Sequence, residues 1–456
     1  MSDVLPVTFA VLCCVASLLL ARGTMRGTWV LSPLFIYVIM SILFINIGFI
    51  LYYVEYNTHD WALNALLSPS IGLLCVALGG ATVTGLDPVQ KGWYRRPQTQ
   101  AGIDITYSSA VVTGLAVFGV VGLYFALIGF VPLFKGIGML FTGGFTPGLV
   151  NSLRVSRDPY INPDQAYIPL QGLMELIRFQ GLPIVAVWFL YYFRRGVYPR
   201  CSLVMVFTAT VCVTLTGQRW PLMYLLGTII VFTSWTTAHQ REFRRVLFRI
   251  FSIAIVGGLL LSALLGRTND DALSYAEMLI FGTGDLFKRI LSGNAMAPFL
   301  SYAVFPAREE WLLGESYLQN LISFLPGKGE AYPVTFNQLI MDNGNFTAPP
   351  DFYTEAYINF GWPGVVVISL LLGSVLGILQ RKILQIRCLT SLSFAGLLVV
   401  VVGFSVMSGI IFVGNAFFAI VFLKTVNGGA RLAFGLQRRA ECRLPRQVRI
   451  QAPSVT

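Results

Sequence analysis

Long apolar stretches alternate with short polar connections along most of the chain, and this rhythm breaks once. About 17 to 25 apolar residues suffice to cross a hydrocarbon core. Eleven such runs occur, at roughly 5–21, 29–52, 65–86, 109–131, 174–193, 201–217, 221–238, 250–266, 363–380, 391–408 and 410–424. The sixth and seventh are parted only by Gln218, Arg219 and Trp220, and the last two by a turn near Ser408 and Gly409, so both pairs read as tight helical hairpins. The break is a polar insert over 267–362. Inserts of such length usually carry function. Within it DALSYAEMLIF and ESYLQNLISFL repeat at helical spacing, the second through Tyr317, Leu318, Leu321 and Phe324. Short amphipathic helices are expected there, lying along the membrane face or capping a cavity. The predicted architecture is all-α: a polytopic membrane protein of about eleven transmembrane helices, one integral membrane domain over 1–456.

Composition agrees. Residues are 55% hydrophobic and 12% charged, mean hydropathy is +0.71, and a soluble domain carries about 25% charged residues. The start, MSDVLPV, lacks a basic stretch, so no cleavable signal is expected. Five cysteines, Cys13, Cys14, Cys75, Cys201 and Cys212, fall in or beside apolar runs, Cys388 and Cys442 lie in basic segments, and none lies in the long insert, which argues against a disulfide framework.

Charge then orients the chain, because Lys and Arg gather in cytoplasmic loops. One set of alternate connections, together with the 425–456 tail and Lys424 beside it, holds 22 of the 32 basic residues but only Asp87, Asp104, Glu242 and Glu441 among the 21 acids. The N-terminus is therefore expected outside, the C-terminus in the cytoplasm, and both 132–173 and 267–362 on the outer face. The net charge of +11 reads as topology and contact with anionic lipid. No nucleic-acid motif is visible.

Soluble-enzyme signatures are missing. His59 and His239 are the only histidines, so a His-based metal site or a Ser/His/Asp triad is not expected. No phosphate-binding glycine loop occurs. What remains is arginines and carboxylates. Arg219 stands between apolar helices, where a charge either serves a function or snorkels to headgroups. Arg154 and Arg157, in GLVNSLRVSRDPYINPDQAYIP, could clamp an anion bidentately or pair locally with Asp158. Glu175 and Arg178, three apart, suit a structural ion pair. Arg267 leaves the eighth run, and Arg308 precedes Glu309 and Glu310; each is a candidate anion ligand or a solvated charge. Asp351 and Glu355, four apart after Pro349 and Pro350, would share one helix face. Either could act as a general base, and Asp351 could equally serve a helix N-terminus. Tyr353 and Tyr357 belong to an aromatic cluster with Phe352, Phe360 and Trp362 that could stack on sugars or form an interfacial belt.

Taken together, the eleven or so runs, the Thr216-Gly217-Gln218-Arg219 hairpin, the large late loop GESYLQNLISFLPGK and the re-entry TEAYINFGWPGVVV resemble the Wzy-type O-antigen and exopolysaccharide repeat-unit polymerases. That family is similar to the GT-C membrane glycosyltransferases. The resemblance implies transfer of a growing glycan between undecaprenyl-pyrophosphate-linked oligosaccharides at the outer face of the bacterial inner membrane. It also implies no metal and no cofactor, with a chain-length regulator as a possible partner alongside membrane lipids. Arginines would stabilise the departing pyrophosphate, and Asp351 or Glu355 would assist the acceptor. Two other readings stay open. An O-antigen ligase usually relies on a histidine in the large loop, which is absent here. A transporter of lipid-linked sugars would show similar halves and charged or broken helices, whereas here charge falls in loops.

Overall fold

The computed structural model describes residues 4–25, 31–85, 105–129, 171–215, 220–237, 241–250, 293–322, 332–341, 349–386 and 388–409, with isolated positions besides. They form an all-helical protein with seven helices long and apolar enough to cross a membrane. These are α1 (Val4–Thr24), α2 (Pro33–Tyr56), α3 (Asp60–Gly85), α4 (Tyr107–Ile128), α5 (Leu173–Arg194), α11 (Phe352–Gln385, apolar through Ile383) and α12 (Leu389–Phe404, continued by a 3-10 turn to Met407). Between them lie two shorter apolar helices, α6 (Pro199–Thr214) and α7 (Trp220–Thr236). The long insert contributes α8 (Met296–Ser301), α9 (Glu315–Ile322) and α10 (Tyr332–Met341). The expected runs at 250–266 and 410–424, the 132–173 connection and the 425–456 tail fall almost wholly outside the described residues.

The most extensive helix pairing joins α3 to α11, and small residues explain it. A Cβ at Gly79 would run into the carbonyl of Leu370, and one at Gly373 into that of Val76. Helices in a bilayer gain little from burying apolar surface against each other, so they associate where missing side chains let backbones approach. On the opposite side, α11 turns Val367, Leu371, Val375 and Ile378 outward. These positions repeat at helical spacing and read as a lipid-facing stripe.

Two irregularities place polar groups inside. A π-turn over Ile42–Asn46 widens α2, and another over Ile177–Gly181 widens α5. The first directs Asn46 Nδ2 onto Ser41 Oγ at 3.0 Å. The second carries Arg178, 1% exposed, against Glu175 at 2.5 Å and over the Phe179 ring at 5.1 Å. The ion pair expected from the spacing is therefore present.

Helix α11 begins earlier than the apolar pattern suggests, at Phe352 instead of about 363. It is broken at Gly361, whose φ of 64° and ψ of −153° are not helical. Pro363 follows two residues later and has no N–H to repair the ladder. Residues 352–360 thus form a half-helix joined to the span by a kink. Apolar counting misses this segment because Asp351, Thr354, Glu355 and Asn359 are interleaved with its buried apolar residues. Among the cysteines, Cys13, Cys14, Cys75, Cys201 and Cys212 are free while Cys388 is disulfide-bonded. The disulfide at Cys388 runs against the expectation drawn from the cysteine positions, which placed Cys388 in a basic segment and foresaw no disulfide framework.

Candidate functional site

The half-helix is capped by Asp351. Its backbone is extended (φ −69°, ψ 166°), and Oδ1 accepts from the amides of Tyr353 at 2.8 Å and Thr354 at 3.1 Å. Oδ2 accepts from the Thr354 hydroxyl. This arrangement satisfies the first orphan donors of the helix. It is also fully enclosed, since Asp351 has no solvent exposure. Burial pushes its carboxyl up to about 6, against the opposing pull of the Thr354 hydroxyl and the two amides.

One turn on, Glu355 is equally enclosed. Its Oε1 accepts from Asn320 Nδ2 at 3.0 Å and from Ser316 Oγ at 3.2 Å, both on α9. A further turn on, Asn359 donates to Ser316 Oγ at 2.7 Å and to the Glu355 carbonyl at 2.7 Å, while its Oδ1 accepts from the Gly314 amide at 2.8 Å. Asp351, Glu355 and Asn359 therefore run up one face at i, i+4 and i+8. The chain just after α12 closes the other side of Glu355: Gly409, at φ 64°, approaches so closely that a Cβ there would strike Oε2.

Helix α9 is the roof of this site, and it lies the other way round from a helix on a water-soluble core. Ser316 and Asn320 point inward, whereas Leu318 is 56% and Leu321 66% exposed. The apolar periodicity of ESYLQNLISFL was legible, but it marks the outward face. The sequence signal for the inward one is the spacing of four shared by Ser316 with Asn320 and by Asp351, Glu355 and Asn359. Ser316, Asn320 and Asn359 are the functional residues that apolar periodicity overlooks.

The other sequence candidates separate. Tyr353 is buried and exchanges a hydrogen bond with Ser41 at 2.9 Å. Tyr357 packs its ring 4.4 Å from Tyr302 and 5.1 Å from Trp311. As packed, neither ring offers a face to a sugar, because both were recruited to fill the interior where α11 meets its neighbours. Arg308 is exposed beside exposed Glu309 and Glu310, and it makes no ion pair among the described residues. Arg154, Arg157, Arg219 and Arg267 lie outside the described residues. Trp220, covalently next to Arg219, packs 5.7 Å from Phe404, at the end of α12 that leads to Gly409.

No group of three or more metal-ligating side chains gathers among the described residues. No family model, characterised protein or solved structure matches the chain.

Proposed function

We propose that this chain is a metal-independent membrane glycosyltransferase that polymerises undecaprenyl-pyrophosphate-linked oligosaccharide repeat units into a surface polysaccharide. One observation carries the reading. The Glu355 carboxylate accepts from Ser316 and Asn320 on a helix of the long insert, and Asn359 braces Ser316 in turn, just where the chain re-enters the apolar bundle. A carboxylate kept in so apolar a setting is costly and reads as functional. With α9 drawn aside, Glu355 would meet an acceptor hydroxyl arriving from the outer face.

In the proposed reaction the acceptor oxygen attacks the anomeric carbon, the bond from that carbon to the pyrophosphate breaks, and the hydroxyl proton passes to Glu355. The departing pyrophosphate takes the electron pair. Fixed guanidinium groups suit the charge it develops. Arg219 is the first choice, with Arg154, Arg157, Arg267 and Arg308 as further ligands of pyrophosphate or glycan. Asp351 fixes the start of the half-helix that carries Glu355. This reading adopts eleven spans in the bacterial inner membrane, with the N-terminus and the 132–173 and 267–362 segments outside and the 425–456 tail in the cytoplasm. The uneven distribution of Lys and Arg supports that topology. A chain-length regulator is a compatible partner.

The test is surface polymer in cells carrying Arg219→Ala or Glu355→Gln, with membrane expression verified. Loss of long chains in both variants is expected. Full-length polymer from either would remove that residue from the mechanism.

A second reading gains from the structure. Buried carboxylates on a helix broken at Gly361 are features of transporters, and the sequence showed its charges only in loops. A transporter of lipid-linked sugars would move substrate across vesicles without lengthening it.

A further inference from the structure

Behind Glu355, around Asp351, polar groups from three helices and a turn meet without access to solvent. Tyr37 and Asn46 come from α2, Ser68 from α3, and Tyr302 from the turn after α8; each is at most 2% exposed. Four of their atoms, Tyr37 Oη, Asn46 Oδ1, Ser68 Oγ and Tyr302 Oη, meet no partner at full hydrogen-bond geometry among the described residues. The Tyr37 hydroxyl faces that of Tyr353, and the Tyr302 hydroxyl faces Ser68 and Thr354. Both it and the Tyr37 hydroxyl feel the charge of Asp351.

Buried polar atoms are almost always satisfied, and each orphan carries its full desolvation cost. Three of them, on Tyr37, Ser68 and Tyr302, gather around Asp351, and together they are a large share of a domain's net stability. Ordered water removes that cost wherever a site is polar and supplies several partners. Asp351 provides the remaining group. Its Oδ1 accepts from two amides, while Oδ2 accepts from Thr354 alone among the described residues and retains a lone pair. The groups facing it are all formally neutral: Tyr37 from α2, Ser68 from α3, Tyr302 from the turn after α8, and Tyr353 and Thr354 from its own helix. No cation offsets its charge among the described residues.

We propose that this cluster is an enclosed proton-binding site, in which ordered water links Tyr37, Ser68 and Tyr302 to Oδ2 of Asp351. An O–H bond forms at Oδ2 as one breaks in an adjoining hydronium, which is left as neutral water; the proton comes from the acidified solution along the water chain and returns to it in the reverse step. Burial already favours the neutral carboxyl, which it pushes up to about 6. The site stands independently of glycosyl transfer and would serve a polymerase or a transporter.

Infrared difference spectra of the full chain in lipid nanodiscs, between about pH 8 and about pH 5, test it without any substrate. The carbonyl stretch of a protonated carboxyl is expected to appear on acidification, together with water O–H bands that move in heavy-oxygen water. Both are lost in Asp351→Asn, which keeps the cap because Asn and Asp cap helices equally well. Both persist in Glu355→Gln. A carboxyl band that survives in Asp351→Asn, or no such band in the wild type, overturns the proton site. A carboxyl band without water bands overturns its hydration.

Discussion

Asn320 donates Nδ2–H to Oε1 of Glu355 across 3.0 Å, and this bond joins a helix of the long polar insert to the helix that re-enters the membrane. Removing a donor from a buried carboxylate costs more than one ordinary hydrogen bond, since the acceptor stays buried. Asn320→Ala is expected to lower chain elongation by about 10-fold, and Glu355→Gln by about 100-fold or more if Glu355 takes the acceptor proton. The double variant should be no slower than Glu355→Gln, because both changes act on one group. Initial rates of the three proteins check this, and fully additive losses would separate Asn320 from Glu355.

Gly409 is held at φ 64° with Glu355 against its α-carbon. Alanine there meets both the left-handed backbone penalty and a collision with Oε2. Gly409→Ala should lose about 2 kcal/mol or more of stability. Gly119, on α4 with open space around it, is the control; alanine there should be neutral or gain up to about 1 kcal/mol. Unfolding midpoints in one detergent compare them, and equal midpoints would contradict the crowding at Gly409.

The sign of the pH effect at Asp351 follows from its raised pKa. Between the ordinary value of 3.8 and about 6 the folded chain binds more proton than the unfolded chain, so this group's contribution to stability falls as pH rises through that window and is flat above it. The contribution is on the order of 3 kcal/mol by linkage. Asp351→Asn removes the titration while keeping the cap. Wild-type stability should rise from pH 7 to pH 5 relative to Asp351→Asn, a comparison read by thermal unfolding of both. Parallel profiles would show that Asp351 does not titrate there.

Much of the membrane frame was legible in the chain because a span is defined by one quantity, uninterrupted apolar length. Six of the seven longest apolar helices begin and end within about five residues of the pattern. The seventh, α11, starts early because a half-helix with Asp351, Glu355 and Asn359 on its buried face fails an apolar count while packing well. The carboxylates themselves were legible from their spacing. Their supporting shell was not, since Ser316 and Asn320 read as the solvent side of an amphipathic helix until α11 is seen beneath them. Tyr353 and Tyr357 could not be sorted into stacking rings or interior rings by sequence, because burial depends on what packs opposite.

The outward face of α9 makes a separate prediction. Leu313, Leu318 and Leu321 are exposed next to Phe360, whose ring stacks at 6.4 Å on Tyr317 and lies at the head of the lipid-facing stripe of α11. An environment-sensitive fluorophore on Leu321→Cys should emit as in lipid and be quenched by spin-labelled lipid, as interfacial helices are. The same label on Arg308→Cys, an exposed position, should be quenched by an aqueous quencher. Water-like emission at position 321 would contradict a membrane-lying roof.

The most direct test of the proposed polymerase is elongation by the purified protein in proteoliposomes supplied only with undecaprenyl-pyrophosphate-linked repeat units and a metal chelator. The account predicts a ladder of lengthened lipid-linked glycans from the wild-type protein and its loss in Glu355→Gln. Repeat units that cross the bilayer without lengthening, or a ladder undiminished in Glu355→Gln, would contradict it.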